Sequence, residues 1–407
     1  MKIKLLCGAA LLCALIGSGL RADNWPQFRG PQGQGVARAS KLPLKWDART
    51  NVRWKTALPG AGHASPVVWG ERIFLTAYDK AARRLLLLCL DKTSGKIRWR
   101  RAVPAAQVEA VHEANTPASS TPVTDGEHIY VWFNSAGLFC FDFAGKLVWE
   151  KRLKMLPIEW GSASSPILHG DLLLLNCDSD AEDFLLAVDK YTGRTVWQTP
   201  RTEVERAWAT PFMWNGQIIV SGAGSLRAYE PQTGKEVWRV AGLPRWLGPT
   251  PVAGNGLLYV AANGRAPENF LLALRPGGSG DVTQSHIAWR YDHEINAVPS
   301  PVVVGEHLFT VRNGGIVACL NALTGALLWQ ERLAARGDYY ASPVVADGKL
   351  YVLSEEGVTS VLAAAPTFQL LSANPLDERC LASPAIADGC IFIRSDDSLF
   401  CIGPTRR

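Results

Sequence analysis

The 407-residue chain lacks most of the features that readily betray a function. Only 19% of its residues are charged, and its 42 basic and 37 acidic side chains form no basic stripe, which argues against nucleic acid as a partner. Outside the first 22 residues no apolar run approaches membrane-spanning length, so a polytopic membrane protein is excluded. The seven histidines show no metal-ligand spacing. There is no phosphate-binding loop, no dinucleotide fingerprint and no Gly-x-Ser-x-Gly elbow. Methionine is nearly missing, at 3, against 15 Trp. What remains is 47% hydrophobic with 37 Gly and 25 Pro, the composition of a folded, turn-rich chain.

Residues 1–22 carry Lys2 and Lys4, an apolar run from Leu5 to Leu20, then Arg21 and Ala22. This order reads as a secretory signal peptide cut near Ala22, which places the chain in the periplasm or outside the cell, with no integral membrane span once cut. Removing Lys2, Lys4 and Arg21 leaves 39 basic residues against 37 acidic ones, so the mature chain is almost neutral. Residues 23–50 then form an N-terminal extension. Seven of the nine cysteines remain after the cut, an odd number for an oxidising compartment. Four of them, Cys89, Cys140, Cys319 and Cys401, share one repeat position with Ala187, Ala228 and Ala273, so the slot reads as small and apolar rather than as a disulfide framework.

That repeat is the main signal. Ser/Thr-Pro followed by apolar residues occurs at Ser65, Thr121, Ser165, Thr210, Thr250, Ser300, Ser342 and Ser383, at intervals of 40 to 56 residues. A Gly turn and a β-rich run follow each one. In five units an acidic residue or Asn opens a second turn that closes on a Gly, with Trp four residues later: Gly95 and Trp99, Gly145 and Trp149, Gly193 and Trp197, Gly234 and Trp238, Gly325 and Trp329. Each unit thus reads as four antiparallel strands. The eighth stops one strand short, and Asn51–Lys55, with Trp54, supplies a spare fourth strand at the other end. The expected fold is all-β: a single eight-bladed β-propeller over residues 51–407, closed by that N-terminal strand. The fifth unit carries an insertion from Pro276 to Ser285. The seventh has no Trp and reads as the looser blade.

The pattern Ala187-Val188-Asp189 with Thr192-Gly193 and Trp197 resembles the docking motif of the pyrroloquinoline-quinone (PQQ) dehydrogenases and of the BamB-like outer-membrane assembly factors. The opening Asn24-Trp25-Pro26-Gln27-Phe28-Arg29-Gly30-Pro31 is similar to the start of secreted PQQ-like repeat proteins. The resemblance implies the fold and a scaffold role. In the dehydrogenases it also implies a vicinal Cys pair, a Trp under the quinone, a Ca²⁺ site and a catalytic Asp. This chain has no adjacent cysteines, so no cofactor is expected and PQQ with Ca²⁺ is disfavoured. The acidic stretch Asp178–Asp183 reads as a surface loop.

The loops leading into the first strand of each blade surround one mouth of the channel. They offer His63, Asn115, Trp160, Trp208, Arg245, Trp246, Asn296, Tyr339 and Tyr340. Trp, Tyr and Arg together are the composition of binding hot spots, and aromatic faces also suit a sugar or a peptide side chain. The sequence therefore favours a monomeric, non-enzymatic scaffold that binds a protein or glycan through this face. The alternatives are a PQQ-dependent dehydrogenase and a carbohydrate-active enzyme using carboxylates such as Glu159 or Glu205.

Overall fold

The computed structural model describes residues 23–38, 41–202, 206–244, 248–263, 269–293, 295, 298–335 and 337–404. They form eight antiparallel sheets arranged as a closed propeller. Blade 1 shows the pattern: Val67–Trp69 innermost, then Arg72–Asp79, Arg84–Asp91 and Ile97–Val103 outermost. Blade 8 takes its three inner strands from Ala385–Ala387, Cys390–Arg394 and Ser398–Ile402, and its outermost strand from Val52–Ala57. Trp54 there lies opposite Cys401. The ring thus closes by strand exchange between the two ends of the chain, as the repeat count requires.

The hydrophobic core is divided among the blade interfaces, and one contact recurs there. The outermost-strand Trp sits across from the small slot residue: Cys89 faces Trp99, Cys140 faces Trp149, Ala187 faces Trp197 and Cys319 faces Trp329. A larger side chain in the slot would push the indole out. The indole then lies on the turn Gly of the next blade. A Cβ on Gly193 would stand 2.6 Å from the Trp149 ring, and Gly193 itself has φ +71°, so both space and backbone demand glycine. The Trp149 Nε1 donates to Lys190 O at 2.8 Å, just past the turn acid Asp189. Trp54, Trp99, Trp197 and Trp289 repeat this bond on their own neighbours.

Two blades depart from the pattern, each for a visible reason. The blade 5 insertion adds a short strand, Gly280–Asp281, parallel to the outer strand of blade 4, with Trp238 opposite Gly280. With no docking turn in reach, the Trp238 Nε1 bonds Gln217 of its own blade. Blade 7 has Ser372 where the Trp belongs, opposite Val361. It is not left loose. Trp46, 4% exposed, stacks on Tyr351 at 6.4 Å, and Tyr351 occupies the place of Phe74, Tyr130 and Phe309, the rings met by docking Trps elsewhere. The missing indole is supplied from the N-terminal extension. All seven described cysteines are free and buried.

The extension crosses one face of the ring. Trp25 exchanges both backbone hydrogen bonds with Val68 of blade 1, and Gly35 and Ala37 do so with Val345 of blade 7. Between them Arg29 is fully buried and donates to Gly33 O, Gln34 O and Pro301 O. Residues 24–38 are therefore a strap across the channel end. Residues 1–22, the expected signal peptide, lie outside the described residues; among the described residues no helix is long and apolar enough to cross a membrane.

Candidate functional site

Opposite the strap the channel widens into a cavity of about 600 Å³. Its floor is built from the repeat itself. In all but the last blade, the backbone N–H of the Ser/Thr in the Ser/Thr-Pro motif donates to the hydroxyl of its counterpart in the next blade. Seven such steps run from Ser65 through Thr121, Ser165, Thr210, Thr250, Ser300 and Ser342 to Ser383, at 2.8 to 3.3 Å. All eight side chains line the cavity. The following Pro cannot donate, and the hydroxyl belt satisfies the buried amide before it. Phe28 of the strap closes the bottom.

The mouth carries the aromatic residues. Trp160 is 41% exposed and stacks on His112, ring centres 4.7 Å apart and 14° from parallel. Asn115 holds this platform: its Nδ2 donates to Trp160 O at 2.8 Å, and its Oδ1 accepts from Thr116 N at 2.8 Å. Trp208 is half-buried, its Nε1 fixed on Gly161 O at 2.9 Å. Arg206 on the rim is ion-paired to both Glu159 and Asp180. His63 lies 3.4 Å from Asp396; burial alone would raise that carboxyl, but His63 and Arg379 outweigh it and hold it below its usual range. Tyr340 bonds Asp338, and burial pushes its phenol up to about 12.

Of the expected surface residues, His63, Asn115, Trp160, Trp208 and Tyr340 converge on this cavity. Tyr339 does not. It is 1% exposed, its hydroxyl on Ala335 O, because its ring packs into the core between blades 6 and 7 with Trp329 and Val345. Arg245, Trp246, Asn296 and the acid Glu205 lie outside the described residues. The acidic stretch is only partly a surface loop: Asp178 is buried and receives the Arg201 Nε on both oxygens, at 2.8 and 3.2 Å. The hydroxyl belt and Phe28 escaped sequence reading. The belt's signal was present, since no repeat has a residue other than Ser or Thr before its Pro.

Behind the wall, Glu109 is buried in the loop joining blades 1 and 2. Its Oε2 accepts from Asn134 Nδ2 at 2.6 Å and from Ser162 N at 3.4 Å. Burial outweighs these bonds and pushes the carboxyl up to about 7. It braces Ser162, two residues beyond Trp160, rather than facing the cavity.

Among the described lining residues none is Asp or Glu. No group of three His, Cys, Asp or Glu gathers for a metal anywhere in the described chain. The described lining offers amide and hydroxyl oxygens, which Ca²⁺ can accept, but none of the carboxylates that usually accompany them. Nor does it supply the paired carboxylates of glycoside hydrolysis; Glu159 is on the rim, tied to Arg206.

Eight four-stranded blades, Trp-on-Gly docking and a strand-exchanged seam define a PQQ-like repeat propeller. The chain belongs to the family described as outer membrane protein assembly factor BamB, whose sequence model matches residues 36–155 and 181–404. It is 24% identical over 327 residues to the outer membrane protein assembly factor BamB of Yersinia pestis, covering 75% of this chain and 76% of that one. It is 26% identical over 229 residues to a polyvinylalcohol dehydrogenase of a Pseudomonas species, 53% of this chain but only 32% of the dehydrogenase. Its fold matches the crystal structure of BamB from Moraxella catarrhalis with a TM-score of 0.64 at 16% identity, over 88% of this chain and 98% of the other.

Proposed function

We propose that the chain is a non-enzymatic recognition scaffold of the BamB-like kind. It works as a monomer in the periplasm or outside the cell, with residues 1–22 removed, and engages a protein or glycan at the funnel face. The observation that carries this reading is the Trp160–His112 platform at the mouth of a blind cavity whose described lining holds no carboxylate. An exposed, braced aromatic pair beside Trp208 and Tyr340 gives rigid contact area at little ordering cost. The described lining offers hydroxyls, amides and the imidazoles of His63 and His112, but no carboxylate.

The likeness to a polyvinylalcohol dehydrogenase supports a quinone-dependent oxidoreductase as the second reading. Incubation with PQQ and Ca²⁺ followed by gel filtration separates the two. The scaffold reading expects quinone absorbance to elute apart from the protein, with no alcohol oxidation. Retained quinone together with turnover overturns it. The site itself is tested by thermal melts of Trp160→Ala and Trp208→Ala beside Trp149→Ala. Funnel positions should cost less than about 1 kcal/mol and the docking position roughly 3–5 kcal/mol. Equal, large losses would make the funnel aromatics packing residues only.

A further inference from the structure

The strap engages the innermost strands at one equivalent position, two residues after the repeat Pro. In blade 1 the Val68 N–H donates to Trp25 O at 2.9 Å and the Val68 carbonyl accepts from Trp25 N at 2.8 Å. In blade 7 the Val345 N–H donates to Gly35 O and its carbonyl accepts from Ala37 N, both at 2.8 Å. Thr124 N of blade 2 reaches Pro26 O, and Ala253 N of blade 5 reaches the Gln34 side-chain oxygen. The counterparts in blades 3 and 4 are Leu168 and Met213.

The strands Ile167–His169 and Phe212–Trp214 pair with their neighbours in the same register as Val67–Trp69. Leu168 and Met213 therefore turn N–H and C=O toward the channel as Val68 does. Among the described residues no hydrogen-bond partner meets either amide there. Instead both residues border a second cavity, of about 580 Å³, on the strap side of the ring. One wall is the strap itself, with Gln27, Phe28 and Gln32. The other has an apolar part, with Ile167 and Phe212, beside Thr124, His169 and Asn215. The charges at its margin, Asp125 and Lys190, already pair with each other at 3.4 Å.

We propose that this cavity binds an uncharged, extended polypeptide segment of a partner protein, which adds to the inner strands of blades 3 and 4 as the strap adds to blades 1 and 7. Unpaired strand edges are templates for another strand. Strand addition takes affinity from main-chain hydrogen bonds and specificity from side-chain pockets. Here Ile167 and Phe212 suit aliphatic side chains, and the glutamine amides with Asn215 suit hydroxyl or amide ones. The volume falls within the roughly 300–1,000 Å³ of small binding sites. The site is continuous with an interface that the chain already makes with its own extended segment, and it is independent of the funnel.

The test is amide hydrogen exchange on the full chain, read residue by residue. In the free protein Leu168 and Met213 should exchange far faster than Val68 and Val345. A library of acetylated, amidated pentapeptides built from Thr, Val, Leu and Gln should contain members that slow both amides saturably. Backbone N-methylation of those members, or Met213→Pro in the protein, should weaken binding roughly tenfold. Unchanged protection of Val68 and Val345 in the Pro variant certifies its fold. Three results overturn the proposal: no library member protects the two amides, N-methylated peptides bind equally well, or the free chain already protects Leu168 and Met213 as strongly as Val68.

Discussion

Trp46 is the residue whose removal most directly tests the account of blade 7. It is almost wholly buried, packs on Tyr351, and stands in for an indole that the repeat itself omits. Truncation of a buried Trp to Ala costs about 3–5 kcal/mol. Unfolding entropy scales with length at about 2.1 cal/mol/K per residue, so a chain of 407 residues loses about 4–6 °C in Tm. Phe is the informative replacement. The Trp46 Nε1 has no acceptor, whereas the Trp329 Nε1 donates to Ala365 O at 3.0 Å. Trp46→Phe keeps the ring contact and removes an unsatisfied donor, so it should cost clearly less than Trp329→Phe, which also takes the bond from the half-buried Ala365 carbonyl. Differential scanning calorimetry of the two Phe variants and of Trp46→Ala reads the comparison. A Trp46→Ala protein that melts with the parent, or a Trp46→Phe protein harmed as much as Trp329→Phe, would refute the substitution argument.

Three further outcomes follow from the same geometry. Thr210→Val leaves the buried Ser165 N–H without an acceptor and should cost about 1–3 kcal/mol by denaturant titration, while Thr210→Ser should cost much less; equal effects would remove the hydroxyl belt from the stability account. Deleting Val52–Ala57 bares the edge of Ser398–Ile402 and removes Trp54, so aggregation or a steep fall in Tm is expected, and a soluble truncation melting as the full chain would disprove closure by this strand. Glu109 titrates near 7 in the fold against an ordinary 4.5, so the folded chain keeps a proton that the unfolded chain releases across that window. Stability should therefore fall as pH rises from about 4.5 to 7, by about 3 kcal/mol in all; Glu109→Gln should flatten that fall, and identical pH slopes for the two proteins would contradict it.

The blades were legible because each carries its own punctuation. Ser/Thr-Pro, the turn Gly and the Trp four residues beyond a second Gly are local signals repeated in register, and the odd strand at the N-terminus balanced the one missing at the end. The strap was not legible, since residues 24–38 belong to no repeat and their partners, Val68 and Val345, lie far along the chain. Trp46 escaped for the same reason: its ring partner Tyr351 lies far along the chain in blade 7, where local reading saw only a vacancy. The insertion was visible as extra length, but its parallel pairing with blade 4 depends on tertiary approach. In the funnel, residue type pointed to Trp160 and Trp208, which line the cavity, while Tyr339 and Tyr340 could not be told apart without knowing which of them packs into the core.

The seam between the two ends of the chain gives biosynthesis a direction. Asp23 bonds Asp388, Trp46 packs on Tyr351, and Trp54 faces Cys401. A chain made from its N-terminus therefore produces these latch pieces first and their sockets last. Blades 1 to 6 can assemble from neighbouring hairpins as they emerge, but Trp46 has no ring partner, and the strand that carries Trp54 has no sheet to join, until blades 7 and 8 are present. Closing so long a loop adds little entropy cost beyond that of a shorter one, because the cost grows only logarithmically with length. It does put the most non-local contacts at the end of folding, where they are slowest. A product that stops before Ser398 keeps its latch open and its edge exposed, so the ring shuts only on a chain that has been read through to its last blade.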